Sequence, residues 1–288
     1  MKTFFTPSVN HLEPFINTER GLYKIRKFND GEMLVRLEDH VEKQPVTIIA
    51  ATHPPAKHFC ELFLLLDTLK QQEARVHLIL TYFGYGRQDH PKPNVARAAH
   101  VISQCLKQFD IDKITVIHPH SVQLQQEVPC ERFIPFNLYK PLIKKLAIDT
   151  IVSPDNGGAL ACQELAQQTQ CLLGVISKER MNNDQIIAGQ ADLPPQIQRV
   201  LIFDDIVSTG STIIQAANIL KEHGATHIYA AVTHCFMNEV ALQKVIDSPI
   251  QHLWVSNSVP VYLNSSHTTV INLAPEIEHL VNQSTMIP

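Results

Sequence analysis

The strongest constraint on this chain is a repeated alternation of short, continuous apolar runs with segments of helical spacing. Runs of strand type lie at Val46 to Ala50, Val76 to Thr81, Ile114 to Ile117, Thr150 to Ser153, Leu172 to Ile176, Val200 to Phe203 and Ile228 to Val232. Between several of them the apolar period changes to that of a helix. HFCELFLLLDTLKQQ, from His58, stacks Phe59, Leu62, Phe63, Leu66 and Leu69 on one side. A strand apolar on both faces has to be covered twice, so the alternation predicts an α/β fold of mainly parallel sheets flanked by helices. In such sheets the functional loops gather beyond the C-terminal ends of the strands.

A chain of 288 residues suits two medium domains better than one large one. The stretch from Phe136 to Pro141 is the expected junction, giving domains 1–137 and 138–288. The charges balance closely, 24 basic against 28 acidic residues for a net −4, so no broad field draws the chain to nucleic acid or an anionic membrane. Phosphate binding, if present, has to be local. The six cysteines are dispersed, with neither CxxC pairing nor zinc spacing, which reads as reduced thiols in a cytoplasmic protein. MKTFFTPSVN is too weakly apolar for a signal peptide, and no run approaches the ~20 apolar residues of a membrane span. Most of the 15 histidines stand alone and make no metal motif.

RVLIFDDIVSTGSTIIQAA, from Arg199, sets two adjacent carboxylates at the end of a strand and just before a helix that begins near Ser211. In the intervening loop Ser208, Thr209, Ser211 and Thr212 offer hydroxyls, and Gly210 lets the backbone N–H groups turn inward. Together with the helix N-terminus these donors suit a phosphate monoester. Asp204 and Asp205 would then meet sugar hydroxyls or a divalent cation beside it. An ordinary helix N-cap with solvated acids fits the same letters. The polar stretch KERMNNDQIIAGQADLPPQIQ, from Lys178, suits either a mobile lid or a plain solvated connection.

DDIVSTGST resembles the phosphoribosyl-diphosphate loop of type I phosphoribosyltransferases and of the ribose-phosphate diphosphokinases. Four further stretches choose between them. TYFGYGRQDH, from Thr81, is similar to the YFGYARQD segment of the diphosphokinases, which simple phosphoribosyltransferases lack. The resemblance gives Arg87, Gln88 and Asp89 to ATP, and Tyr82, Phe83 and Tyr85 offer flat faces for a purine. KFNDGEMLVRLEDHV, from Lys27, resembles FSDGE, a projecting hairpin that delivers Phe28, Asp30 and Glu32 to a neighbouring subunit's adenine. That implies a homo-oligomer, a dimer or a hexamer. As plain sequence, NDG is also simply a good hairpin turn.

VIHPHSVQLQQ, from Val116, puts His120 where the family has a histidine for the magnesium of MgATP, while His118 departs from the family pattern. IVSPDNGGALAC, from Ile151, resembles SPDAGG and gives Asp155 to magnesium and ribose; glycine and proline turn chemistry fits it too. In SKER, Lys178 and Arg180 match the Lys-x-Arg that opens the family's mobile loop and stabilises the transferring group.

The resemblance implies two phosphoribosyltransferase-like domains: an N-terminal ATP-binding one, and a C-terminal ribose-phosphate-binding one whose last ~20 residues pack back on the first. The implied reaction is Mg2+-dependent transfer of the β,γ-diphosphoryl group of ATP to the C1 hydroxyl of ribose 5-phosphate. Asp204, Asp205, Ser208, Thr209, Gly210, Ser211 and Thr212 hold the sugar phosphate, and His120 and Asp155 the metal. Three departures keep rivals open. The loop after Asp89 is cut to HPKPNVARAAH, the sugar-phosphate loop has STGST where many bacterial members have DTAGT, and Asn238-Glu239 replace a glycine-containing turn. A diphosphokinase acting on a larger ribose phosphate such as ADP-ribose is the main alternative, ahead of a phosphoribosyltransferase or a non-catalytic regulatory paralogue.

Overall fold

The computed structural model describes residues 1–91, 93–121, 123–180 and 186–284, apart from the side chains of 178–180 and 186–190. The chain divides into two units. The first is Met1–Phe133 with Ser258–Pro260 and the chain from Asn272 onward; the second is Ile134–Asn257 with Val261–Ile271.

The first unit contains β1 (Lys2–Phe5), β2 (Tyr23–Lys27), β3 (Met33–Leu37), β4 (Pro45–Ala51), α1 (Lys57–Lys70), β5 (Arg75–Tyr82), α2 (Ala98–Leu106), β6 (Lys113–Ile117), α3 (Gln123–Glu127) and β7 (Glu131–Phe133). Its main sheet has the order β1-β4-β5-β6-β7, parallel throughout. Alternation sends Val46, Ile48, Ala50, Val76, Leu78, Leu80, Ile114 and Val116 to one face, against Leu62, Leu65 and Leu69 of α1, Ala99 and Leu106 of α2 and Leu124 of α3. The buried stripe of α1 is rotated from the expected one. Leu65 is buried, while Phe63 is only half-buried and stacks on Phe109 with ring centroids 5.4 Å apart. β2 and β3 form a separate antiparallel hairpin whose Tyr23, Val35 and Leu37 pack onto the same core.

The second unit contains α4 (Lys140–Lys145), β8 (Thr150–Ser153), α5 (Ala159–Thr169), β9 (Leu172–Arg180), β10 (Ile186–Asp192), β11 (Arg199–Val207), α6 (Ser211–Glu222), β12 (His227–Cys235), α7 (Glu239–Ile246), β13 (His252–Ser256) and β14 (Thr268–Ile271). The sheet order is β10-β9-β8-β11-β12-β13-β14, with only β10 antiparallel. From β8 the chain steps outward through α5 to β9; from β11 it steps the opposite way through α6 to β12. Right-handed crossovers in opposite directions place their helices on opposite faces. Accordingly Ile151, Leu201, Phe203 and Ala231 pack with Cys162 and Leu165 of α5, whereas Val152, Val200, Ile202 and Ala230 pack with Ile213, Ala217 and Leu220 of α6. The reversal between β8 and β11 opens a crevice at their C-terminal ends, the place where open α/β sheets bind ligands.

The last helix, α8 (Ala274–Ser284), belongs to the first unit. On the sheet face opposite α1, the His77 ring bonds to the Ser284 hydroxyl at the end of α8, and Thr81 Oγ1 donates to the Ser258 carbonyl at 2.7 Å.

Two local expectations change. In the polar stretch from Lys178, residues 178–180 and 186–192 lie on the paired strands β9 and β10, with Lys178 opposite Ala188 and Arg180 opposite Ile186, while residues 181–185, on which the lid expectation also falls, lie outside the described residues. Backbone ladder bonds need no apolar side chains, so a polar composition hid the strands. Similarly, β11 continues through Asp204 and Asp205 to Val207, because β12 extends alongside to Cys235 and pairs Asp204 with Val232 and Val207 with Cys235.

Candidate active site

In the second unit the crevice between β8 and β11 carries most of the candidate residues. Asp155 follows β8, and its Oδ1 accepts from the N–H groups of Gly157 (2.9 Å) and Gly158 (3.3 Å). Ser153 Oγ donates to the Asp155 carbonyl at 2.6 Å and fixes the turn from beneath. Gly158 has to be small, since a Cβ there would lie 2.9 Å from Ser153 Oγ and 3.8 Å from Asp204 Oδ1. The β8 turn and the end of β11 therefore pass in close contact. Cys162 Sγ donates to the Phe203 carbonyl at 3.2 Å just below.

Asp204 is buried and Asp205 is half-buried. Burial, then the charge of Asp205, then that of Asp155, push the Asp204 carboxyl well above the usual carboxylate range. Its Oδ1 accepts the Asp205 N–H at 2.9 Å. The buried Asp204 thus feels the charges of two half-buried carboxylates, Asp205 and Asp155. Such a group is relieved by a proton, a divalent cation or sugar hydroxyls.

Immediately beyond, Ser208 to Gly210 join β11 to α6. Gly210 has φ +77°, a left-handed conformation that costs an L-residue, and its missing Cβ would lie 2.9 Å from Val245 Cγ2. At the start of the 12-residue helix Thr209 Oγ1 bonds to Ser211 Oγ at 2.9 Å and accepts the Ser211 N–H at 3.4 Å, with Ser208 and Thr212 flanking them in sequence. A helix N-terminus flanked by hydroxyls is a setting suited to an anionic group, here next in sequence to the two carboxylates. The backbone of Lys178 and Arg180 lies on β9; their side chains lie outside the described residues. Asn238 and Glu239, one of the sequence departures, cap α7: the Asn238 side chain accepts from Ala241 N at 2.9 Å, with Glu239 in the first turn.

In the first unit a second group of residues lies beyond β5 and β6. Gly84 passes so close to the end of β4 that a Cβ would fall 1.9 Å from the Thr52 carbonyl oxygen, and its N–H donates to Thr52 Oγ1 at 2.7 Å. This contact pins the loop that exposes Tyr85, Arg87 and Gln88. Tyr82 and Phe83 are buried instead, Tyr82 ending β5 and Phe83 packed in the core, so of the three aromatics only Tyr85 presents a face to solvent.

Asp89 turns inward and is buried. It accepts from the Ser121 hydroxyl and lies 2.6 Å from His90 Nδ1. Burial alone would raise its carboxyl, but these hydrogen bonds outweigh it and hold the group below the usual range. The β6 loop is thereby tied to the β5 loop; a Cβ on Gly86 would lie 3.9 Å from that of His120. His120 is exposed, whereas His118 is buried at φ +41° with its N–H donating to the Phe133 carbonyl at 2.7 Å. Phe28, Asp30 and Glu32 occupy the exposed tip of the β2–β3 hairpin, on a different sheet. The tip is ordered by its own contacts: Glu32 N–H to Asp30 Oδ1 (3.0 Å), and the Arg26 guanidinium 5.1 Å from the Phe28 ring centroid.

Sequence reasoning singled out neither Ser121, Ser153 nor Thr52. Each acts through a hydroxyl within or beside a named motif; Ser121, next to His120, and Ser153, two residues before Asp155, carried a positional hint, and Thr52 carried none.

Comparison with known proteins supplies the family. The model of the N-terminal domain of ribose phosphate pyrophosphokinase matches residues 9–109, and the phosphoribosyl transferase domain model matches 138–265. The ribose-phosphate pyrophosphokinase of Aquifex aeolicus is 30% identical over 271 residues, covering 90% of this chain and 86% of the relative. That of Sulfurisphaera tokodaii is 30% identical over 259 residues, covering 87% and 88%. The fold is that of phosphoribosylpyrophosphate synthetase from Mycobacterium smegmatis, with a TM-score of 0.83 at 21% identity over 99% of this chain and 98% of that one. Two domain models in the expected order and relatives aligned along nearly their whole length establish that the chain belongs to the ribose-phosphate pyrophosphokinase family, a family of transferases.

Proposed function

We propose that the chain transfers the β,γ-diphosphoryl group of ATP to ribose 5-phosphate. The C1 hydroxyl oxygen bonds to the β-phosphorus and gives up its proton to solvent, the bond from that phosphorus to the α,β-bridging oxygen breaks, and AMP leaves with 5-phosphoribosyl 1-diphosphate as product. The observation that carries the reading is the crevice between β8 and β11, where Asp155, Asp204 and Asp205 adjoin the hydroxyl-lined N-terminus of α6. A phosphorylated pentose has the matching layout: a phosphate for Ser208 to Thr212, and vicinal hydroxyls for Asp204 and Asp205.

The residues present also fit magnesium. Among the described residues no group of three His, Cys, Asp or Glu side chains is arranged to hold an ion unaided. Magnesium ordinarily keeps waters and takes one or two carboxylates plus substrate phosphates, which suits Asp155 as a partial ligand within the second unit and the exposed His120 as one within the first. When bound it supplies charge neutralisation on the phosphates. Lys178 and Arg180 add cationic stabilisation of the transferred group, Arg87 and Gln88 hold the nucleotide, and Phe28, Asp30 and Glu32 reach a second copy's adenine in a homo-oligomer. Six free cysteines, and no helix among the described residues long and apolar enough to cross a membrane, are consistent with work in the cytoplasm.

The test is to mix the purified protein with MgATP and either ribose 5-phosphate or ADP-ribose, following AMP release and product mass. Ribose 5-phosphate should give AMP and a product heavier by one diphosphoryl group, and Lys178→Ala should lose about 10²–10³ in turnover with nucleotide binding retained. AMP release with ADP-ribose alone would replace the acceptor. Failure to release AMP with either would end the reading.

A further inference from the structure

We propose that Asp89 is a positioning residue that clamps the β5 loop to the β6 loop through Ser121, and not a ligand of the nucleotide. The proposal rests on the nucleotide reading of Arg87, Gln88 and His120. Its support is geometric. The Asp89 side chain is 4% exposed, with one oxygen taken by the Ser121 hydroxyl and the other 2.6 Å from His90 Nδ1. The exposed groups are the immediate neighbours, Gln88 before Asp89 and His120 before Ser121. A single hydrogen-bonded pair therefore fixes two ligand-bearing loops against each other. The spacing they keep is that between a side chain for the nucleotide and one for its metal. Rigid placement of such groups matters because small misplacements lower rates steeply.

A ligand role and a clamp role make opposite demands on the side chain. A ligand acting by its negative charge is lost equally in Asp89→Asn and Asp89→Ala. A clamp needs acceptors of the right shape: an asparagine Oδ1 still accepts from Ser121, and its amide can donate to the other tautomer of His90. Ser121→Ala cuts the clamp while leaving the carboxylate in place.

The experiment measures KM for MgATP, KM for ribose 5-phosphate and kcat for the wild type, Asp89→Asn, Asp89→Ala, Ser121→Ala and the Asp89→Ala/Ser121→Ala double variant, with MgADP binding by calorimetry. Expected is a rise of roughly tenfold in KM for MgATP in Asp89→Ala and in Ser121→Ala, with KM for ribose 5-phosphate unmoved. Asp89→Asn should stay within about threefold of wild type, and the double variant should be no worse than Asp89→Ala. Equal damage in Asp89→Asn and Asp89→Ala, or a Ser121→Ala variant indistinguishable from wild type, overturns the clamp. If Asp89→Ala does not fold, Asp89→Asn and Ser121→Ala decide between the same two outcomes. Wild-type protein that binds no MgADP overturns the nucleotide reading and the clamp with it, whereas normal wild-type binding with the wrong variant pattern overturns the clamp alone.

Discussion

Lowering the pH should loosen the first unit through one buried imidazole. His77, on β5, is 1% exposed, with Nε2 2.8 Å from Thr115 Oγ1 and Nδ1 bonded to the Ser284 hydroxyl at the end of α8. Since Ser284 Oγ also donates to the Leu280 carbonyl, the network assigns the proton to Nδ1 and leaves Nε2 to accept from Thr115. Burial first, and then the Lys113 charge against a smaller opposing effect of Glu131, lower the imidazole from 6.5 to about 4. The unfolded chain therefore takes up a proton in the window from about pH 6.5 to 4 that the folded chain refuses. The stability that neutral His77 contributes is complete above that window and is lost as pH falls through it. Moving the imidazole from 6.5 to about 4 corresponds to at most about 3 kcal/mol, of which about 2 kcal/mol goes between pH 7 and pH 5. Hydrogen exchange of the β5 and α8 amides, measured across that range in wild type and His77→Gln, isolates the effect. His53, also lowered to about 4, titrates in both proteins and cancels in the comparison. The wild type should lose about 2 kcal/mol more protection than the variant on going from pH 7 to 5. Parallel pH profiles for the two proteins would refute the argument.

Two further substitutions probe the crevice of the second unit. Gly210→Ala forces an L-residue to φ +77° and drives a Cβ to 2.9 Å from Val245 Cγ2, so it should cost about 1–2 kcal/mol in urea unfolding and raise KM for the sugar phosphate while sparing that for ATP. An unchanged KM would remove the α6 N-terminus from the binding site. Asp204→Asn keeps the acceptor for the Asp205 N–H but removes one of three converging charges. It should raise the melting temperature by about 2–4 °C, as for about 1 kcal/mol, while turnover falls at least about a hundredfold. A less stable yet active variant would contradict the repulsion and the assigned role together.

The sequence alone determined the α/β class, because continuous apolar strands and amphipathic helices in alternation have few ways to bury both strand faces. It also marked candidate binding loops, since glycines, hydroxyls and paired acids after a strand leave a local signature at Asp155, Asp204 and Gly210. Only the tertiary structure decided which of the side chains in and around those loops are exposed and which are buried. Tyr82 and Phe83 looked like stacking surfaces but complete strand and core, because the sheet beside them needs covering. Asp89 reads as one more nucleotide ligand of its motif, and only the fold shows it buried and bonded to Ser121, 32 positions away. The order of β8 against β11, which creates the crevice, and the return of α8 to His77 are likewise long-range pairings. Period and composition report how a residue sits on its own element; which element lies opposite is settled by the packing of the whole chain.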